Sequence, residues 1–255
     1  MPFTHHHRPE VPSTNRWAME WLKHEVPRRP VLFTADHQTA GKGQRDRLWH
    51  SERGRDVAMS VALPVQPHWT PAALNKRVAL TVRETLLEAL PAVRNERSVL
   101  VKWPNDVLIW HGAGHYKVGG ILIENVWRGS TWTHAVIGIG VNVQSRQLTQ
   151  TYRAISLSEA WQSAMAPGPL AETITKRLIQ DLHRAFDGLD EAYHHALFAL
   201  NETRSFEIGG TAFKGQLTAV DAQGAGQFSW ERSDSEASPP PNLLSSSEVE
   251  WCWPT

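Results

Sequence analysis

The chain has 255 residues, enough for one large domain or one domain with a small companion. Lys+Arg and Asp+Glu both number 26, so no global charge bias points to nucleic acid or an anionic membrane, and basic function has to be local. One cysteine, Cys252, excludes an internal disulfide, and no apolar run suits a signal peptide or a bilayer span, so a cytoplasmic protein is expected.

His5, His6 and His7 come first. A metal site and a trimmed tag are alternatives, but adjacent side chains on a strand point to opposite faces, which is poor geometry for one ion. Polar positions of a first strand are the favoured reading. Ser13-Thr14-Asn15 then precedes a helical pattern with Trp17, Ala18, Trp21 and Leu22 on one face. VLFTA (31–35) and VAMSVAL (57–63) are strand-like. Thr70-Pro71 reads as a helix N-cap followed by Pro at the first position, and Leu74, Val78, Val82, Leu86 and Leu90 recur at helical spacing.

Three β-rich runs follow at 99–110, 116–127 and 131–143, joined by HGAGH and RGS. Those turns are too short for helical crossovers and predict an antiparallel meander with one face against helices. Helices are expected over 156–164 and 170–189, the second on Leu170, Ile174, Leu178, Leu182 and Phe186. After Asn201 the texture changes. Residues 206–231 alternate between Gly-rich turns as in a small barrel, 233–248 is low-complexity with a mobile loop expected near 233–247, and EVEWCW (248–253) is expected to close the barrel.

Between the second and third strands lies AGKGQRDRLW (40–49). It lacks the spacing of a P-loop, and no third glycine opens a helix as in a dinucleotide fingerprint. Gly41 and Gly43 let backbone N–H groups approach a ligand, Lys42, Arg45 and Arg47 supply charge, and Trp49 offers a flat apolar wall. A solvated turn with surface charges is the plainer alternative. In the meander, Lys102 and Lys117 need anionic partners if buried. Asp106 is a structural partner for a lysine, a strand-end cap or a Mg²⁺ ligand. Gly138 and Gly140 fall on one strand face and strip it of side chains, either for a ligand or for close packing.

Together these residues resemble a biotin protein ligase. Ser13-Thr14-Asn15 matches that family's S-T-N, and residues 38–49 resemble its Q-x-A-G-[RK]-G-R-x-G-R-x-W loop. Residues 102–106 match K-W-P-N-D, residues 117–122 match K-[LIV]-[AG]-G-I-L, and residues 137–143 match its I-G-[IA]-G-[IV]-N strand. Five motifs in order cover most of the chain. The resemblance implies an α/β (α+β) fold: a catalytic domain with a mixed sheet over 1–201 and a small SH3-like barrel over 202–255. It implies formation of biotinyl-5′-AMP from biotin and MgATP, then transfer to a lysine of a biotin carboxyl carrier protein, by a monomer or homodimer.

By the same resemblance, Lys117, Arg47 and Asp106 are the catalytic candidates, with Asp106 also the Mg²⁺ ligand. Ser13, Thr14, Asn15, Gln38, Gly41, Lys42, Gly43, Gln44, Lys117, Gly120, Gly138 and Gly140 would bind biotin. Arg45, Arg47, Trp49, Lys102, Asn105 and Asn142 would face ATP. Two positions depart from the pattern: Gln44 stands where the loop commonly has Arg, and Asp46 where it has Gly. The first removes a cation and the second adds an anion between two arginines. S-T-N begins at Ser13, so no DNA-binding helix-turn-helix and no operator binding are expected. A lipoate-type ligase is the nearest rival, but its R-R-x-x-G-G-G type loop is not found. A non-catalytic binding module is the rival from another class.

Overall fold

The computed structural model describes residues 3–89, 95–146, 148, 153–162, 165–231 and 239–252. Strand β1 (Thr4–Val11) contains the three histidines, as expected. His6 packs against Trp17, Trp21 and Phe33, while His5 and His7 turn to the other face, where both contact Thr34 Oγ1. Helix α1 (Thr14–Trp21) follows, capped by Ser13, whose hydroxyl accepts from Arg16 N. Next come β2 (Val31–Gln38), β3 (Val57–Pro64) and helix α2 (Pro71–Glu88), the last capped by Thr70 with Pro71 in its first turn.

The meander is β4 (Val99–Lys102), β5 (Asp106–His111), β6 (Gly114–Arg128) and β7 (Thr131–Val141). These strands form one seven-stranded sheet in the order β1-β2-β3-β7-β6-β5-β4. Only β1 and β2 pair in parallel, so the sheet is mixed and the fold is α/β. Alternation along the strands assigns its faces. Leu32, Val61 and Ile137 enter the main core with α2, whereas Phe33, Ala62 and Val136 face α1.

Helix α3 (Leu157–Trp161) is shorter than expected, and residues 163–164 lie outside the described residues. The helix expected over 170–189 is two helices, α4 (Pro167–Leu182) and α5 (Leu189–Ala196). Gly188 between them sits at φ 71°, a backbone state that a glycine takes at no steric cost and that a helix cannot contain. The apolar period runs on through the break because Phe186 and Leu189 both still pack inward.

The C-terminal strands are β8 (Arg204–Ile208), β9 (Thr211–Val220), β10 (Gly226–Trp230), β11 (Leu243–Leu244) and β12 (Glu250–Trp251). They form a second, antiparallel sheet in the order β11-β10-β9-β8-β12. EVEWCW therefore adds an edge strand on β8, and among the described residues no ladder joins β12 to β11. The segment expected as a mobile loop is described only in part. Residues 232–238 lie outside the described residues, but 243–244 form β11, and Glu248 caps the following turn by accepting from Ser245 N and Oγ. Phe206, Leu217 and Phe228 of this sheet join the same apolar cluster as the first sheet. Among the described residues no helix is long and apolar enough to cross a membrane.

Candidate active site

Strand register builds the floor of the site. On the α1 face, Ala58, Gly140, Gly120, Asp106 and Lys102 lie side by side across β3, β7, β6, β5 and β4. The neighbouring row runs Phe33, Ser60, Gly138, Leu122. A stretch without side chains thus ends in an acid and a base.

Lys117 reaches this face because β6 carries an irregularity. Val107 pairs with Gly119 but Leu108 pairs with Lys117, so Val118 is the extra residue. A bulge reverses the phase of the strand beyond it. Val118 and Gly119 both turn away from the cavity, and Lys117 turns towards it.

The cavity above this floor measures about 640 Å³, a size ordinary for small-molecule sites. Its lining includes every residue proposed from sequence except Gly41. Gly41 has a different reason to be glycine. Its carbonyl accepts from Trp49 N at 2.9 Å, and a Cβ there would lie 2.4 Å from Trp49 O. It closes the loop rather than approaching a ligand. The loop's two arms also meet at the Lys42–Leu48 bridge and at Gly43 N to Arg47 O, 2.7 Å.

The glycine floor is covered by side chains of this chain. A Cβ on Gly138 would sit 2.2 Å from Asn15 Oδ1, and one on Gly140 would sit 2.3 Å from the Trp49 ring. Trp49 also crosses Gly120, and Lys117 Nζ lies 5.5 Å from its ring. Trp49 Nε1 and Ser51 Oγ, both on residues lining the cavity, are buried and carry no hydrogen bond. Donors of this kind are rare in folded interiors and suit a ligand's acceptors.

At the α1 end, Gln38 Oε1 accepts from Thr14 N and Thr14 Oγ1 at 2.8 and 3.1 Å. Buried Ser60 donates to Thr14 Oγ1 and sits 2.6 Å from Asn15 Oδ1, while Asn15 Nδ2 donates to Glu124 at 2.8 Å. Sequence reasoning missed Ser60 and Glu124. The signal available was slight: Ser60 is the one hydroxyl in VAMSVAL.

At the other end Asp106 lies between two lysines. Lys117 Nζ is 2.6 Å from Oδ1 and Lys102 Nζ is 3.4 Å from Oδ2. Burial alone would raise the Asp106 carboxyl, but Lys117 and Lys102 outweigh it and hold it below the ordinary carboxylate range. Burial pushes the Lys102 ammonium down, against Asp106 and with help from Lys117. Of the readings open from sequence, the lysine partner is the one the geometry supports. Both carboxylate oxygens are engaged, and among the described residues no group of three or more His, Cys, Asp or Glu could hold a metal ion. A Mg²⁺ held through one carboxylate and a ligand's phosphates would have to share Asp106 with the two lysines.

The sign of the pH effect follows. A carboxyl whose folded value lies below its unfolded one stabilises fully above the unfolded value, and the contribution is lost as pH falls through the folded value. The stability gap between wild type and Asp106→Asn is therefore expected to hold from neutrality down to about pH 5 and to shrink below about pH 4. Urea midpoints across pH measure it. A gap unchanged to acid pH would mean that the Asp106 charge is not what holds the lysines.

Asn105 and Asn142 spend their amide donors on backbone, Asn105 on Ile121 O at 2.6 Å and Asn142 on Ile155 O at 3.4 Å. They shape the wall beside the lysines. The remaining wall comes from the C-terminal sheet. Ser246, Val249, Glu250 and Trp251 line the cavity, and Arg45 and Arg47 both reach Glu250. The side chain of Asp46 lies outside the described residues. The loop arginines thus contact residues some 200 positions away, which no local motif announces.

The profile of the Biotin/lipoate A/B protein ligase family matches residues 9–142, more than half of the chain, and the chain belongs to that family. A bifunctional ligase/repressor BirA of Bacillus spizizenii is 34% identical over 137 residues, 53% of this chain and 39% of its own length. A biotin–[acetyl-CoA-carboxylase] ligase of Mycobacterium tuberculosis is 31% identical over 157 residues, 60% of this chain and 52% of its own. The chain spans about half, or less, of these curated relatives. The biotin protein ligase from Aquifex aeolicus in complex with biotin and ATP has the same fold, with TM-score 0.69 and 22% identity over 98% of this chain and 95% of that one.

Proposed function

We propose that this chain is an ATP-dependent biotin protein ligase. In the first step the biotin carboxylate attacks the α-phosphorus of ATP, the bond to the β-phosphate breaks, and pyrophosphate leaves with biotinyl-5′-AMP remaining. In the second, a lysine amine of a biotin carboxyl carrier protein attacks the anhydride carbonyl and AMP leaves. The observation that carries the reading is the single row in which Gly140 and Gly120 run into Asp106 and Lys102, with Lys117 turned onto it. Biotin's apolar body packs along the cavity against the Trp49 ring, which itself covers Gly140 and Gly120. Its ureido group fits the Ser13–Thr14–Gln38 end, and its carboxylate fits the lysine end.

The lysines answer a specific problem. A carboxylate brought within 4 Å of a phosphate charge is repelled by about 4 kcal/mol at an effective dielectric near 20. Lys117 is the electrostatic centre in this reading, and Lys102 fixes Asp106 so that Asp106 can hold Lys117. Any Mg²⁺ enters on the triphosphate, since Mg²⁺ keeps waters and phosphate oxygens readily. We also read residues 202–255 as a small SH3-like domain following a catalytic domain over 1–201, and the cytoplasm as the compartment, on the single cysteine.

Pyrophosphate release by the purified chain with MgATP should depend on biotin and not on lipoate. Mass spectrometry of a carrier domain incubated with chain, biotin and MgATP should show one added biotinyl group. Equal release with and without biotin would reject the reading, and lipoate dependence would favour the rival ligase.

A further inference from the structure

Two guanidinium groups of the glycine loop converge on one oxygen. Arg45 Nη1 and Arg47 Nη2 each lie 2.6 Å from Glu250 Oε1. Arg45 also donates to Val249 O at 2.8 Å and to Ser246 O, so one arginine ties the loop to three residues of the C-terminal segment. Its backbone lies at φ 54°, ψ 42°, a left-handed state uncommon for a residue with a side chain. Paired guanidiniums around one oxygen are how proteins hold a phosphate or carboxylate of a ligand. Here Glu250 supplies that oxygen from within the chain, and all three residues line the cavity.

We propose that Glu250 is a positioning residue that competes with the nucleotide's phosphates for Arg45 and Arg47. Without an anion it holds the loop against the C-terminal segment. When a triphosphate enters, the arginines turn from carboxylate to phosphate. The charge balance gives the reason: among the described side chains, the Glu250 carboxylate offsets part of the positive charge that Arg45 and Arg47 would otherwise offer a polyanion. The pairs themselves are partly exposed, with side-chain exposures of 29%, 46% and 43%, so releasing them does not threaten the fold. The identity of the anion as ATP rests on the ligase reading; the contact of the loop with Glu250 does not.

Glu250→Gln in the full chain tests this, since it removes the charge and keeps the shape. ATP and inorganic tripolyphosphate are titrated calorimetrically, and trypsin cleavage within residues 42–47 is timed without ligand. The variant should bind both anions about three- to tenfold more tightly, the scale of two partly exposed ion pairs, and its loop should be cut faster. It should bind biotin as wild type does. Weaker or equal anion binding by the variant would overturn the proposal, and the first result would make Glu250 a pre-organiser of the arginines. If wild type binds neither anion, the proposal also falls. If tripolyphosphate shows the difference while ATP and biotin do not bind, the competition stands and the ligase reading falls.

Discussion

Lys117→Ala is expected to slow biotin-dependent pyrophosphate release by a hundredfold or more while the protein stays folded. Lys117 Nζ is the nearer of the two ammonium groups to Asp106, at 2.6 Å against 3.4 Å for Lys102. It also stands beside the Trp49 ring over the glycine floor, where a ligand carboxylate would meet a phosphate. Removing one positioned donor to developing charge typically costs about 10²–10³ in rate. The fold should survive because Lys117 is only partly buried and Asp106 keeps Lys102. Initial rates with thermal melts on the same preparation separate the two effects. Near-native turnover would make Lys117 a structural counter-ion and pass the catalytic role to Lys102.

The floor of this site was legible in the sequence, and its contents were less so. Alternating Gly138 and Gly140 announced a face stripped for close approach, and register puts Gly120 and Ser60 on that same face. The glycines alone leave a ligand or close packing open, and Asn15 and Trp49 pack closely against them. Strict alternation would also turn Lys117 to the core side of β6; the residue added at Val118 reverses this, and bulges of this kind have no dependable sequence mark. From K-W-P-N-D, Asp106 reads as a lysine partner, a strand-end cap or a metal ligand; two ammonium groups lie at its oxygens, and only tertiary structure brings Lys117 there. Glu250 is the clearest omission. A glutamate in an alternating strand reads as an outward-facing charge, and its partners precede it by more than 200 positions.

Lys76 was equally hidden, and it leads to the largest stability effect expected of a single substitution here. In ALNKRVAL it reads as a helix surface lysine, yet it is 2% exposed. Its ammonium meets Asp190 Oδ1 and Asp221 O at 2.7 Å and Val220 O at 3.4 Å, so three donors find three acceptors. Those acceptors belong to α5 and to the end of β9, so one side chain of α2 holds a helix and the second sheet together. Asp190 is 56% exposed and remains hydrated if the lysine is lost. Both carbonyls keep a second contact, Asp221 O with Gly224 N at 3.1 Å and Val220 O with His194 Nε2 at 3.0 Å, so the cost falls on the lost charged hydrogen bonds and on the void beside Tyr193. Lys76→Ala should lose about 2–4 kcal/mol, combining lost hydrogen bonds from a charged donor with a cavity. For a chain of this size that lowers Tm by roughly 5–12 °C. Lys76→Met fills the void without supplying a donor and should recover part of the loss, and the difference between the two variants measures the cavity. If both variants melt with wild type, the buried ammonium carries no net stability, its desolvation cancelling its three hydrogen bonds. The attachment of the second sheet would then rest on its other contacts, among them the packing of Leu217 and Phe228 and the hydrogen bond from Trp103 Nε1 to Gly224 O.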